Sequence, residues 1–192
     1  MKLYGSFTSP YVRRLRILLG DHDYEFIDAP TATPEGRAIL SQVNPTMKIP
    51  MFEDDGQVLC DSGLIAQYLH EKLAIPALSY HDMNILKIID AIVDSYIQLF
   101  LLGRSGFDTS EPKIYFNLQK ERIERSFTFI EEAVKTGIIT SSNWNYMTIS
   151  LATSIEWLMV RQLHDFSDLP AISTFYDATK QRDDMVSTQI PG

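Results

Sequence analysis

Three short segments in the first third of the chain carry residue types that could bind and activate a small anionic ligand. Ser9 and Asp61 each stand directly before a helical pattern, where unpaired backbone N–H groups and the helix dipole favour a nearby anion. A serine hydroxyl at such a position can donate a hydrogen bond to a negative atom, and a lysine can pair with a carboxylate. The segments are Ser9-Pro10-Tyr11, Lys48-Ile49-Pro50 and Asp61-Ser62.

The elements around these segments alternate between β and helical patterns. Ser9 followed by Pro10 is a strong helix start, and Asp54-Asp55-Gly56 is typical of a hairpin turn. The order predicts a βαβαββα unit in which the first two strands are parallel and joined by a right-handed crossover. The predicted strands are Lys2–Tyr4, Glu25–Asp28, Met51–Glu53 and Val58–Cys60, and the predicted helices follow Ser9, follow Thr33 to about Val43, and span Ser62–Lys72.

The β patterns largely end at Leu73, and residues 74–80 are typical of a linker. Beyond Met83, apolar residues recur at helical spacing in long stretches, including one over residues 85–100 and a last one over residues 170–182. We therefore expect two domains, an α/β domain over residues 1–76 and an all-α domain over residues 79–192.

Composition excludes several classes of protein. The 192 residues carry 17 Lys and Arg against 25 Asp and Glu, a formal charge of −8, which disfavours nucleic acid and anionic membranes as partners. The one cysteine, Cys60, cannot form an internal disulfide, which favours a cytoplasmic location. The scattered histidines and this lone cysteine lack metal-ligand spacing, so we expect no metal. No stretch is typical of a signal peptide or a membrane span.

The segments TSPYVRRLRILL and NPTMKIPMFEDDGQVLCDSGLIAQYL resemble the active-site loop and glutathione-binding core of the glutathione S-transferase superfamily, in its bacterial type with a serine-containing active-site loop. SIEWLMVR and RDDMVSTQIP resemble late helices of the same family. The resemblance implies a thioredoxin-like N-terminal domain followed by an all-α helical bundle. It also implies a homodimer that uses glutathione as co-substrate to attack a small electrophile.

The resemblance places Ser9 beside the glutathione thiol. Lowering a thiol pKa of about 8.5 by ~2 units needs ~2.7 kcal/mol of preferential thiolate stabilisation. One hydroxyl hydrogen bond to a charged acceptor supplies ~1.5–3 kcal/mol, and the helix dipole adds ~0.3–1 kcal/mol. Ser9 can therefore act as a hydrogen-bond donor, although its position also suits a helix cap alone. Ser6, Thr8 and Tyr4 carry nearby hydroxyls that are alternatives.

The resemblance also assigns residues to the rest of glutathione. It implies a cis Ile49–Pro50 bond, whose backbone pairs with the cysteinyl part of the peptide, and a contact from Lys48 to the glycyl carboxylate. Asp61 and Ser62 would hold the γ-glutamyl group. Asp61 would bind the ammonium of that group, and Ser62 would bind its carboxylate. Each assignment has a structural alternative: a trans proline at a strand start, a solvated lysine, and a helix cap at Asp61.

The acceptor site is the part that the sequence specifies least. By position in the family it draws on Phe7, Tyr11, Phe100, Arg104 and Phe107, although core packing explains Phe100 equally well. Cys60 is typical of a buried small hydrophobe rather than a nucleophile.

The sequence departs from the family pattern in two places. Met47 stands where glycine is usual, and the helix that begins at Asn145 has Thr148 in place of the acidic partner of a capping box.

Two other functions fit the same residues. A glutathione-binding or regulatory protein would keep the site without turnover, and a glutathione-dependent reductase would direct the thiolate at a peroxide oxygen. Retention on immobilised glutathione and turnover of a generic chloroarene together separate a transferase from a binding protein.

Overall fold

The computed structural model describes residues 1–190, which divide into two compact units. The first contains Met1–Ala77 together with the segment from Gln181 onward, and the second contains Leu78–Lys180. The strands are β1 (Lys2–Gly5), β2 (Glu25–Asp28), β3 (Met51–Asp54) and β4 (Gln57–Cys60). The helices are α1 (Pro10–Leu19), α2 (Pro34–Val43), α3 (Ser62–Lys72), α4 (Tyr80–Arg104), α5 (Ile114–Lys135), α6 (Tyr146–Val160), α7 (Pro170–Thr179) and α8 (Asp183–Ser187).

The first unit is built on a mixed sheet in the order β2-β1-β3-β4. β1 and β2 are parallel, whereas β3 is antiparallel to both β1 and β4. This confirms the predicted βαβαββα order. The register places Tyr4, Met51 and Cys60 side by side across three strands. The chain therefore leaves β1, enters β3 and leaves β4 at the same end of the sheet.

Local sequence accounts for the elements of this unit. Ser9 and Thr33 cap α1 and α2 with their hydroxyl oxygens, and each is followed by proline at the first helical turn. Asp55 and Gly56 both have positive φ, at 47° and 76°, as a two-residue hairpin turn between β3 and β4 requires. Gly5 lets α1 approach β1, because a Cβ there would lie 2.5 Å from the Val12 side chain.

The C-terminal segment packs on α1. The buried guanidinium of Arg13 donates to the backbone oxygen of Met185 at 2.8 Å and to the hydroxyl of Thr188 at 3.3 Å. These bonds hold α8 in the first unit, so the structure differs from the predicted division, which assigned residues up to 192 to the second domain. The predicted pattern over residues 170–182 also ends early, at Thr179. Pro191 and Gly192 lie outside the described residues.

The second unit is helical and has an apolar core. α4, α5, α6 and α7 each contribute residues that are at most 9% exposed, among them Ile89, Ile130, Ile155 and Ile172. None of the helices within residues 1–190 combines the length and the apolar character that a membrane span requires.

The start of α6 corrects an expectation. Asn145 Oδ1 accepts from the backbone N–H groups of Met147 and Thr148, and the Thr148 hydroxyl oxygen accepts from the Asn145 N–H at 2.9 Å. A complete capping box therefore forms without an acidic partner. The threonine hydroxyl takes the role because it has the acceptor that the Asn145 N–H requires.

Candidate active site

The three segments identified in the sequence converge at one end of the sheet in the first unit. Residues 6–9 follow β1, residues 48–50 precede β3, and Asp61 and Ser62 follow β4. Because Tyr4, Met51 and Cys60 are aligned across these strands, the three segments lie next to one another. Neighbouring strands are ~4.8 Å apart, so the three strands span about 10 Å, a width suited to a small peptide.

Ser9 lies at the N-terminus of α1 in an extended conformation. Its Oγ accepts from the backbone N–H of Val12 at 3.4 Å, which establishes the capping role. Within residues 1–190 the hydroxyl hydrogen has no acceptor, and the side chain is half-buried. Ser9 can therefore cap the helix and at the same time donate its proton to a ligand.

The alternative hydroxyls form hydrogen bonds of their own. Tyr4 is buried and donates to Glu53 Oε2 at 2.8 Å, and burial together with this carboxylate raises the pKa of Tyr4 to about 12. The hydroxyls of Ser6 and Thr8 are paired with each other at 3.1 Å. Ser9 therefore keeps its hydroxyl hydrogen uncommitted within residues 1–190, whereas Tyr4 does not, and the single bond between Ser6 and Thr8 uses the hydrogen of one of them.

The segment before β3 presents free backbone groups. The Ile49–Pro50 bond is cis, as the resemblance implies. Among residues 1–190, neither the N–H nor the C=O of Ile49 has a backbone or side-chain partner, since strand pairing begins at Met51. Lys48 is exposed, and its ammonium forms no ion pair within the same residues. These groups are available to a peptide and to a carboxylate.

Asp61 and Ser62 form the beginning of α3. Asp61 has φ 84° and ψ 128°, a conformation that L residues rarely adopt, and its Oδ1 accepts from the N–H groups of Gly63 and Leu64 at 2.8 and 3.2 Å. Its Oδ2 has no partner among residues 1–190 and is available to a cation. Strain of this kind is characteristic of ligand-binding positions, which supports the predicted role of Asp61.

Arg14 is a site residue that the sequence analysis missed. It is 2% exposed, and its Nη2 donates to Ser62 Oγ at 2.5 Å, across 48 residues of chain. Because this bond occupies a lone pair of Oγ, the Ser62 hydroxyl hydrogen is directed elsewhere. The ring of Tyr11, a predicted acceptor-site residue, covers the guanidinium at 4.6 Å. The sequence feature that could have identified Arg14 is the pair of adjacent arginines at positions 13 and 14, on a helix that is buried over most of its length.

Phe7, a predicted acceptor-site residue of the first unit, lies in the loop after β1. Its ring contacts the Phe26 ring with centroids 4.5 Å apart, and the Arg16 guanidinium lies 4.8 Å from its centroid. It remains 36% exposed, so part of the ring is accessible.

The other predicted acceptor-site residues belong to the second unit. Phe100 packs edge-on against Trp157 at 6.5 Å, which supports the core-packing interpretation. Two guanidinium groups lie near the Phe100 ring, that of Arg104 at 5.8 Å and that of Arg161, which the sequence analysis did not identify, at 5.9 Å. Phe107 is 58% exposed in the segment after α4. The acceptor site itself stays a prediction.

Cys60 has a structural environment. Its Sγ donates to Asn44 Oδ1 at 3.3 Å, and burial raises the pKa of the thiol, which disfavours the nucleophilic thiolate. Within residues 1–190 no group of three or more His, Cys, Asp or Glu side chains is arranged to hold a metal ion.

Comparison with known proteins gives consistent results. The profile of the glutathione S-transferase N-terminal domain matches residues 3–77. The chain is 31% identical over 175 residues to the uncharacterized GST-like protein YibF of Escherichia coli K12. The aligned region covers 85% of this chain and 84% of that protein. The chain belongs to the glutathione S-transferase family.

Solved structures of glutathione transferases share the fold. A family member from Pseudomonas fluorescens Pf-5, solved with bound glutathione, is 26% identical, has a TM-score of 0.80, and covers 100% of this chain and 99% of its own. A maleyl pyruvate isomerase, a bacterial zeta-class glutathione S-transferase, is 21% identical with a TM-score of 0.77. The superposition covers 98% of this chain and 96% of that one. The thioredoxin-like N-terminal unit and the helical unit described above are those of the family.

Proposed function

We propose that this glutathione S-transferase family member is a transferase in which Ser9 stabilises the glutathione thiolate for attack on a small electrophile. The observation that carries the proposal is the position of the Ser9 hydroxyl. It lies at the N-terminus of α1 with its hydrogen uncommitted within residues 1–190, at the end of the sheet where Ile49 and Asp61 present free polar groups.

The proposed chemistry begins with loss of the thiol proton to solvent. The thiolate then accepts a hydrogen bond from Ser9 and lies near the positive end of the α1 dipole. Together these contributions lower the thiol pKa by about 2 units, as estimated from the sequence. The sulfur lone pair forms a bond to an electrophilic carbon, and the leaving group departs with the electron pair of the broken bond. Ser9 stays protonated throughout and is a donor, not a nucleophile.

The remaining site residues hold the peptide. The cysteinyl backbone of glutathione pairs with the free N–H and C=O of Ile49, as in strand addition. Asp61 Oδ2 accepts from the γ-glutamyl ammonium, and the Ser62 hydroxyl donates to the γ-glutamyl carboxylate. Lys48 pairs with the glycyl carboxylate. Lys48, Ile49 and Asp61 each have the required donor or acceptor free among residues 1–190, and Ser62 lies at the start of α3 beside Asp61 with its Oγ held by Arg14.

Two measurements on the purified protein test this function. Retention on immobilised glutathione with elution by free glutathione, together with conjugation of an activated chloroarene, is the expected result. Retention without turnover of chloroarenes or peroxides supports the binding protein instead, and turnover of a hydroperoxide alone supports the reductase. Failure to bind glutathione at all contradicts all three functions.

We further propose a homodimer and a cytoplasmic location. Val58 on β4 and Leu64 on α3 are 47% and 48% exposed, and apolar residues of this size so close to Asp61 suit a surface shared across a two-fold axis. A light-scattering mass near twice 21.9 kDa is expected, and a clean monomer contradicts the dimer. The lone Cys60 supports the cytoplasmic location, which fractionation of cells that express the protein tests.

A further inference from the structure

We propose that the side chain of Asn44 is a positioning residue for glutathione. It holds Met47 in a left-handed conformation and thereby sets the direction of the Ile49 N–H. The inference rests on the proposed function, because it explains how this chain presents the backbone to which the peptide binds.

Asn44 is the buried centre of a cluster of hydrogen bonds. The residue is 1% exposed, and both ends of its amide are engaged. Its Oδ1 accepts from the Thr46 N–H at 2.9 Å, from the Thr46 hydroxyl at 2.8 Å and from Cys60 Sγ at 3.3 Å. Its Nδ2 donates to the backbone oxygen of Lys48 at 2.7 Å. One side chain therefore binds the chain on both sides of residue 47.

Met47 is the residue that needs this support. Its φ is +55°, in the left-handed region that glycine adopts readily and that is unfavourable for residues with a Cβ. Its N–H donates to the Asn44 backbone oxygen at 3.1 Å, and the Lys48 N–H donates to Thr46 Oγ1 at 3.3 Å. The bonds from Asn44 and Thr46 thus oppose the relaxation of Met47 to negative φ.

The link to glutathione passes through one peptide plane. The oxygen of Lys48 and the N–H of Ile49 belong to the same planar trans peptide group, so they point in opposite directions. The bond from Asn44 Nδ2 fixes the oxygen, and the Ile49 N–H is therefore directed away from Asn44, where it has no partner among residues 1–190. If the Asn44 bond were lost, this plane would be free to rotate, and the N–H would no longer be held ready for the cysteinyl carbonyl.

The test combines Asn44→Ala with Met47→Gly, since glycine adopts positive φ without the hydrogen bonds of Asn44. Asn44→Ala should raise the dissociation constant of glutathione by about 10-fold, measured by calorimetry, as expected for one lost positioning hydrogen bond. Adding Met47→Gly should regain about 3-fold of the lost affinity, because glycine adopts positive φ readily, whereas the bond from Asn44 Nδ2 to the Lys48 oxygen stays absent. In the free protein, hydrogen exchange of the backbone amide at position 47 should accelerate in Asn44→Ala and slow again in the double variant, each rate being compared with the intrinsic rate of the residue at that position.

A milder pair covers the case in which Asn44→Ala does not fold. Thr46 is exposed, so Thr46→Val removes one hydroxyl from the cluster without a change of shape, and Thr46→Ser keeps that hydroxyl. Thr46→Val should weaken glutathione binding and speed Met47 exchange, and Thr46→Ser should do neither.

The contrary results are equally specific. Unchanged glutathione affinity in Asn44→Ala, or an affinity loss that Met47→Gly does not reduce, contradicts the proposal, because a purely structural Asn44 gives one of these two results. If the unaltered protein binds no glutathione, the proposed function fails, and the exchange measurements alone still decide whether Asn44 holds Met47.

Discussion

The two compact units differ in how their polar groups are held. In the first, polar side chains converge on one end of the sheet, where the buried Asn44 and Arg14 and the exposed Asp61 each make hydrogen bonds that fix backbone or a neighbouring segment. In the second, the core is mostly apolar, and several of its buried hydroxyls donate to carbonyls of their own helix, as Ser150 does to the Tyr146 carbonyl at 2.6 Å. The polar contacts of the first unit thus position the residues of the candidate site, and the apolar interior of the second unit contributes mainly to stability.

This difference explains why glutathione binding is easier to assign than the acceptor. The groups proposed to bind glutathione are backbone N–H and C=O groups, helix-capping residues and a hydroxyl. The fold sets the positions of these groups largely independently of the exposed side chains. The predicted acceptor residues Phe100, Arg104 and Phe107 lie on α4 and the segment after it, where only side chains decide what binds. The chemical partner of such a surface cannot be inferred from the fold.

The largest expected effect concerns stability in the second unit. Ile130 on α5 is fully buried, and Ile130→Ala should lower the free energy of unfolding by about 2–5 kcal/mol, through lost transfer energy and a cavity. At a temperature where the variant is folded, its affinity for glutathione should match that of the unaltered protein. Thermal unfolding and calorimetry measure the two quantities. A large change in glutathione affinity would remove the contrast drawn between the units.

The next effect concerns affinity in the first unit. Ser62→Ala removes the hydroxyl that we assign to the γ-glutamyl carboxylate and should raise the glutathione dissociation constant about 10- to 100-fold, because the hydrogen bond is charge-assisted. Ser41→Ala is the matched control, since Ser41 is exposed on α2 and its hydroxyl donates to the Ala38 carbonyl. Equal affinities for the two variants would show that Ser62 does not contact the ligand.

A smaller effect is expected at Lys48. The side chain is exposed, and an exposed ion pair contributes about 0.2–1 kcal/mol, so Lys48→Ala should weaken glutathione binding by roughly 1.4- to 5-fold. The difference between the two proteins should shrink as salt is added, because salt screens exposed charges. Titrations at low and high ionic strength test this, and a difference that is independent of salt rules out the proposed pairing with the glycyl carboxylate.

The smallest effect is a pH dependence in the second unit. Burial lowers the pKa of His164 from its ordinary value of 6.5, against the opposing influence of the Asp165 carboxylate. The ring is stacked on Phe127, lies edge-on to Phe166, and its Nδ1 is 2.6 Å from the Tyr96 hydroxyl. Because the unfolded chain binds this proton more readily than the folded one, stability should fall as the pH drops below about 6.5.

Melting temperatures from about pH 7.5 to about pH 5.5 measure this dependence across the ordinary range of histidine. His164→Gln should flatten the profile in this range, and His81→Gln, which replaces an exposed histidine at the start of α4, should leave it as it is in the unaltered protein. An identical slope in His164→Gln would exclude His164 as the source.

Much of the fold was predictable because its signals are local. Capping by Ser9 and Asp61, the prolines at helix starts and the Asp55-Gly56 turn each act within a few residues, and the structure confirms them. The features that were missed depend on long-range contacts. Arg14 bonds to Ser62 across 48 residues, and Arg13 bonds to Met185 across 172, so neither partner is visible in the pattern around the arginines.

Two outcomes show where local rules need the tertiary structure. The sequence showed that Met47 replaces a usual glycine, and the structure shows that the residue still adopts the glycine conformation. The sequence also showed that Thr148 replaces an acidic capping partner, yet the hydroxyl forms the same bond. In both places the backbone geometry is retained because neighbouring side chains supply the hydrogen bonds.

The central claim is that the Ser9 hydroxyl stabilises the glutathione thiolate, and the pKa of the bound thiol tests it most directly. Titration of thiolate ultraviolet absorbance in the unaltered protein and in Ser9→Ala, both saturated with glutathione, gives this pKa. We predict that Ser9→Ala raises it by about 1–2 units, because one charge-assisted hydrogen bond is lost, while the glutathione affinity changes little. An unchanged thiol pKa together with unchanged turnover would contradict the account and assign the role to Ser6, Thr8 or the α1 backbone.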